Sequence, residues 1–311
     1  MKKVFSYLKP YLRWIILGGT LFFLATTLKD NWQQVWQIRI SNSGFASLTV
    51  AFFVTIMAHI WSGWVWFWII QEFNQTVNLR WAIRIYLVTN IAKYLPGNIW
   101  HFYGRIAATK QVGIKVEIAI LSVLIEPLLM AAAALAIALV AATQESWILQ
   151  FLCLVIILSG FHPRILNPVV KFLEKLKLKT IKSDLYPPLE LKLKGYPIKP
   201  FFGEICFVII RGSGFFLTIL ALSTIEFNQV LSIYGVFSFA WLLGLVIPGA
   251  PGGIGVFEAT TLALLEQKFS PGIVLSAVAL YRLISVLAET FGAGLAWLEQ
   301  QRKKEEGIRN K

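Results

Sequence analysis

The sequence predicts an all-α fold: a polytopic, membrane-embedded helical bundle of about seven or eight transmembrane segments, with residues 1–311 forming one membrane domain. Three observations carry that expectation. Apolar residues make up 57% of the chain and charged residues 14%, with a mean hydropathy of +0.67, whereas an average soluble domain is about 45–50% apolar and about 25% charged. Apolar runs recur near the roughly 20 residues that a helix needs to cross about 30 Å of hydrocarbon. Two of those runs are broken by Pro and Gly, so they are expected as re-entrant segments, related to each other as in an imperfect inverted repeat.

The first expected span, Tyr11 to Leu28, begins within MKKVFSYLKPYLR, which imitates the charged start of a signal peptide. No small-residue cleavage site follows, so this span is expected to remain uncleaved. Uninterrupted runs then cover Phe45 to Ile70, Val116 to Ala142, Trp147 to Gly160, Phe201 to Leu222, Val230 to Ile247 and Ile273 to Leu298. The interrupted stretches are Trp81 to Ile106, cut by Pro96-Gly97, and Val246 to Leu265, cut by PGAPGGIG. Cys153 and Cys206 both sit in apolar runs, and no CxxC or Cys/His cluster exists, so no disulfide framework, metal or other cofactor is expected.

The chain carries a surplus of 13 positive charges, which on a soluble protein would suggest nucleic acid. Here 18 of the 29 Lys and Arg fall in three segments, four from Lys2 to Arg13 at the start of the first span, nine from Arg164 to Lys199 and five after Glu299. The positive-inside rule then puts both termini in the cytoplasm of an inner-membrane protein, together with a basic loop at 161–200 and a basic tail at 299–311. That parity requires Trp81 to Ile106 to enter and leave on the cytoplasmic side and PGAPGGIG to turn the chain back. The run KFLEKLKLK in the loop reads as a solvated, topology-setting segment or a short interfacial helix. The cluster WSGWVWFW at 61–68 reads as one end of the second span.

Unpaired backbone groups cost several kcal/mol each in hydrocarbon, so a break at membrane depth persists only where protein buries it or a wet cavity lines it. In KYLPGNIWHFYGR, Pro96 removes a donor, Gly97 allows a turn, and Asn98, His101, Tyr103 and Arg105 supply polar groups. The second break packs two Pro and four Gly into the eight residues Pro248 to Gly255, including Pro251, Gly252 and Gly253, before a helix carrying Glu258. A helix starting there would aim free N–H groups at an anion; the bland alternative is close helix packing. GGIGVFE lacks dinucleotide-binding spacing, and no Walker sequence occurs.

Glu126, Glu204, Arg211, Glu258, Arg282 and Glu289 lie in or near spans, each at a cost of roughly 2.5–3.5 kcal/mol at a helix centre. Such residues face the bundle interior. Arg282 and Glu289 are seven apart, as are Glu204 and Arg211, a rise of about 10.5 Å, so their partners must come from other helices or from substrate. Ion pairing that fixes helix register is the structural alternative, weighed evenly for Glu204 and Glu289. Glu126 precedes Pro127, which predicts a kink beside a carboxylate. His59 is expected to make a lone interhelical hydrogen bond.

Taken together, KYLPGNIWHFYGR, PGAPGGIGVFEAT and ALYRLISVLAET resemble the transmembrane region of the lysylphosphatidylglycerol synthases, the multiple peptide resistance factors, and their stand-alone relatives. The resemblance extends from the first span to residue 298, and Pro96, Gly97, Arg105, Pro251, Gly252, Gly253, Gly255, Glu258 and Arg282 match the motif positions. It implies handling of lipid: the family's membrane region is associated with flipping an aminoacylated phospholipid. The synthase domain follows that region in the family, and only 13 residues follow Leu298 here, so lysyltransferase activity is not implied.

The leading expectation is a protein that binds and flips a phospholipid or lipid-linked headgroup, its partner being an anionic or polyprenyl-linked membrane lipid and not nucleic acid. The expected site comprises Arg105, Glu258, Arg282, Asn98, His101 and Glu126, lined by Pro96, Gly97, Pro248, Pro251, Gly252, Gly253 and Gly255. Arg105 and Arg282 would hold phosphate, while Glu258 would take a cationic or hydroxylated group or release phosphate by pairing with Arg282. No catalytic residue is assigned. The alternatives are an integral membrane enzyme with Glu258 or Glu126 as base, and a non-catalytic partner that recruits proteins through its basic loop. Whether it acts as a homo-oligomer or beside a partner synthase is left open by the sequence.

Overall fold

Helix starts are written into the sequence as polar residues ahead of apolar runs. In the computed structural model, which describes residues 22, 25–95, 99–141, 147–160, 164, 195–247 and 253–309, the Ser41 side chain accepts from Gly44 N and that of Asn78 from Arg80 N and Trp81 N. Glu226 and Gln229 form a reciprocal capping box. The elements are α1 (Trp32–Gln37), α2 (Asn42–Glu72), α3 (Leu79–Asn90) with a 3-10 turn at Ile91–Tyr94, α4 (Trp100–Gln111) and α5 (Val116–Ala141). They continue with α6 (Trp147–Gly160), α7 (Ile198–Leu220), α8 (Phe227–Val246), α9 (Val256–Leu265) and α10 (Pro271–Arg309). No strand occurs among the described residues.

Among the described residues, five helices are long and apolar enough to cross a membrane: α2, α5, α7, α8 and the Pro271–Arg302 part of α10. This is fewer than the seven or eight segments expected. Most of Tyr11 to Leu28 lies outside the described residues, and α6, at 14 residues, is about 21 Å long. Most of the 161–200 loop also lies outside them, as do Pro96, Gly97, Asn98, Pro248, Pro251 and Gly252. Both expected interruptions are present in the flanking elements. The helical path of α3 ends at Tyr94 and α4 starts at Trp100, while α8 ends at Val246 and α9 starts at Val256.

The outer surface is apolar. Leu283, Leu287 and Leu298 on α10, Phe53 and Met57 on α2, and Leu124 and Leu128 on α5 are all exposed, as suits helices whose solvent is lipid. Inside, two cores form. One joins Trp66, Ile69 and Ile70 of α2 to Tyr86 of α3 and Leu121, Ile125 and Leu129 of α5. The other centres on Phe215, Phe237, Phe257 and Tyr281, one ring each from α7, α8, α9 and α10, with all six centroid separations between 5.4 and 5.9 Å. Such edge-to-face and offset rings add about 0.5–1.5 kcal/mol per pair beyond burial, and they fasten the short α9 to three long helices.

The packing repeats with a period of five elements. Helix α2 packs against α7, and contacts α2–α3, α3–α4, α4–α5, α5–α6, α2–α5, α5–α7 and α5–α8 recur as α7–α8, α8–α9, α9–α10, α10–α1, α7–α10, α10–α2 and α10–α3. The central pair is antiparallel. A Cβ at Gly44 would meet Ala221 O at 2.6 Å and one at Gly214 would meet Thr55 Oγ1 at 2.9 Å, while Trp61 Nε1 donates to Gly203 O at 2.8 Å. One hydrogen bond recurs as well: Ser62 Oγ to Tyr86 OH between α2 and α3, and Ser213 Oγ with Tyr234 OH between α7 and α8, both 2.6 Å.

Candidate functional site

Residues four apart share a helix face, and in α4 the buried set is His101, Arg105 and Thr109. That face turns to α5. Arg105 Nη1 donates to Glu126 Oε2, Tyr86 OH donates to Glu126 Oε1 at 2.6 Å, and the guanidinium lies 3.8 Å from the Tyr86 ring centroid. Both Glu126 oxygens are therefore engaged, which weakens its expected alternative role as a general base. Pro127 follows inside the continuous α5 and contributes no N–H to the helix.

The second broken segment builds a related pair. Gly253 and Gly255 have φ of +74° and +89°, a region that side chains other than Gly enter only with strain. Glu258, in the first turn of α9, then reaches back: Gly255 N donates to its Oε2 at 2.6 Å, and Arg282 Nε donates to its Oε1 at 2.5 Å. The N–H of Gly255, expected to point at an anion, is thus held by Glu258. Gly253 also abuts α8, since a Cβ there would sit 3.2 Å from Gly244 Cα. Gly253→Ala is expected to destabilise the protein by about 1–3 kcal/mol, read as a lowered thermal midpoint in detergent.

The two ion pairs occupy corresponding helices with opposite polarity. Arg is on α4 and Glu on α5 in the first half; Glu is on α9 and Arg on α10 in the second. They differ in enclosure, for Arg105 and Glu126 are buried while the Arg282 side chain is 22% exposed.

Between the broken segments lies a cavity of about 450 Å³ lined by Lys93, His101, Arg105, Glu126, Gly253 and Arg282, with His59, Tyr86, Asn90 and Trp241 completing the polar wall. Behind it, Glu289 of α10 gathers basic side chains from three other elements. Lys93 Nζ donates to its Oε1 at 2.8 Å, His59 Nε2 lies 3.0 Å from the same oxygen, and Arg211 Nη2 lies 3.9 Å away. His59 Nε2 is also 3.1 Å from Arg211 Nη1, so His59 belongs to a network and not to the lone hydrogen bond expected. Arg211 is cushioned by Trp241 and Tyr281, 5.1 and 5.3 Å from their ring centroids.

Among the described residues, Arg105 Nε, His101 Nδ1 and both Glu204 carboxyl oxygens are buried without a hydrogen-bond partner. Buried polar atoms are ordinarily paired, so these unpaired atoms stand out beside a cavity that Arg105 and His101 line.

Of the expected site residues that the structure describes, Arg105, His101, Glu126, Gly253 and Arg282 meet at this cavity, and Glu258 and Gly255 adjoin it through Arg282. Tyr103, on the same break, is exposed and faces away. Sequence reasoning did not select Lys93, Asn90 or Tyr86. For Lys93 the signal was present, since it opens the quoted KYLPGN segment three residues before Pro96. No group of His, Cys, Asp and Glu suited to a metal ion occurs among the described residues. No family model matches the chain, and no curated protein matches it.

Proposed function

We propose that this protein binds the anionic headgroup of a lipid in the cavity between its two broken segments and carries it across the inner membrane. The observation that carries this reading is the convergence of Lys93, Arg105 and Arg282 on one cavity of about 450 Å³ in which Glu126 is the carboxylate among the described lining residues, with Glu258 and Glu289 paired to Arg282 and Lys93 behind the wall. An Arg fork suits the oxygens of a phosphodiester.

In this proposal α3 and α4 form a re-entrant hairpin entered from the cytoplasmic face, and α8 and α9 leave and return to the outer face. The mainly undescribed first span and α6 complete the crossings, and both termini and the 161–200 loop are cytoplasmic by the positive-inside rule. The five-element packing period, with α2 and α7 antiparallel, is what an inverted repeat about an axis in the membrane plane produces. Alternating access then consists of exchanging the roles of the two halves. The resemblance of the broken motifs to the lysylphosphatidylglycerol synthase membrane region supports lipid as cargo, an anionic phospholipid or a polyprenyl-linked headgroup.

The test is reconstitution into vesicles with a headgroup-labelled phosphatidylglycerol whose exposure to an external reductant reports flipping. The double variant Arg282→Ala, Glu258→Gln is expected to lower the rate at least tenfold. Equal rates for that variant and the wild type would refute the proposal.

A further inference from the structure

A second cavity, also about 450 Å³, lies on the other side of Arg282. It is a groove formed by the segment around α1, by α9 and by the first turns of α10, with Leu28, Val35, Ile38, Leu262, Val274 and Ala279 supplying apolar wall. Its inner end is ionic, because Glu258 and Arg282 line it too. Arg282 lines both spaces, so the Arg282–Glu258 pair is the partition between an apolar groove and a basic cavity.

We infer that this groove holds the alkyl chains of an anionic lipid whose headgroup engages Arg282, and that opening of the Arg282–Glu258 pair admits the headgroup to the central cavity. The inference rests on the headgroup reading above and adds the access route. Three observations commit the groove to this occupant. It joins apolar wall to a cation through one continuous surface, which matches an amphiphile and neither a free phosphate nor an apolar helix. Ser276 is the uncharged polar residue in its lining, a hydroxyl-bearing side chain on α10 between the apolar wall and Arg282. The partition itself is the more open of the two pairs, so a phosphate arriving from the groove can compete with Glu258 for Arg282.

The position in the fold assigns a leaflet. Leu222, just past the C-terminal end of α7, and Val274, near the start of α10, both line the groove. In the proposed topology both lie toward the outer face, so the groove serves the outer leaflet.

Two measurements test this. In wild-type proteoliposomes, phosphatidylglycerol bearing a mid-chain diazirine should, on illumination, leave adducts concentrated on Val35, Ile38, Ser276 and Ala279, and leave them earlier when added to the outer leaflet than when it starts in the inner one. In a second arm, Ala279→Trp should weaken binding of dioleoyl phosphatidylglycerol at least tenfold while leaving binding of water-soluble glycerol 1-phosphate within twofold of wild type. Leu283→Trp, on the exposed face of α10, should change neither. Adducts spread evenly over the lipid-facing surface, or lipid binding by Ala279→Trp at wild-type strength, would overturn the groove and leave the headgroup site standing. Wild-type binding of glycerol 1-phosphate by Arg282→Ala would instead overturn the headgroup reading beneath it.

Discussion

Glu289→Ala is expected to destabilise the folded protein by about 3–5 kcal/mol, the usual result of removing one partner from a buried ionic cluster. Glu289 is the carboxylate on which Lys93, His59 and Arg211 converge, from the turn after α3, from α2 and from α7. Without it Lys93 and the buried Arg211 both lose the carboxylate they share. The double variant Lys93→Met, Glu289→Met should cost less than Glu289→Ala, because one cation, Arg211, and not two is then left without the carboxylate. Unfolding titrations in mixed micelles provide the comparison, and a Glu289→Ala protein within about 1 kcal/mol of wild type would show that the cluster does not hold α10 in place.

The second large effect is at the enclosed pair. Arg105→Glu sets a carboxylate against Glu126, with the unpartnered Glu204 also within electrostatic reach of that pair. A loss of at least about 3–5 kcal/mol is expected. The swapped variant Arg105→Glu, Glu126→Arg should recover at least half of it, since the second half of the molecule already carries Glu on its short helix and Arg on its long one. Thermal midpoints for the two single variants and the swap form the cycle that checks this. A swap no better than the worse single variant would mean that surroundings such as Tyr86, and not charge pairing, fix the arrangement.

The course of the helices was largely legible because hydrophobic length and Pro/Gly punctuation are local properties. The expected run Phe45 to Ile70 became Asn42–Glu72, and both broken stretches end and restart around their Pro and Gly. The pairing of Glu258 with Arg282 was one of two roles the sequence offered for Glu258, the other being to take a cationic or hydroxylated group; the structure holds the pair. What stayed hidden was long-range partnership. Lys93 and Glu289 are 196 residues apart, and no periodicity links a lysine at the end of a 3-10 turn to one carboxylate in a 39-residue helix. The repeat was expected from the two breaks, but its five-element extent was masked for a different reason. Its corresponding ion pairs have exchanged signs, so aligning the halves element by element sets Arg105 against Glu258 and Glu126 against Arg282.

The reach from Lys93 to Glu289 also bears on how the chain is made. A ribosome adding about 5–20 residues per second takes roughly 10–40 s to cover those 196 residues. Throughout that interval Lys93, His59 and later Arg211 are in the growing chain without the carboxylate that joins them. Their helices must wait beside the insertion machinery, or hold water, until α10 arrives as the closing element. Biosynthesis of this protein thus has a late commitment point: a nascent chain stopped after α9 contains nearly all of the cavity wall and lacks the residue that neutralises what stands behind it.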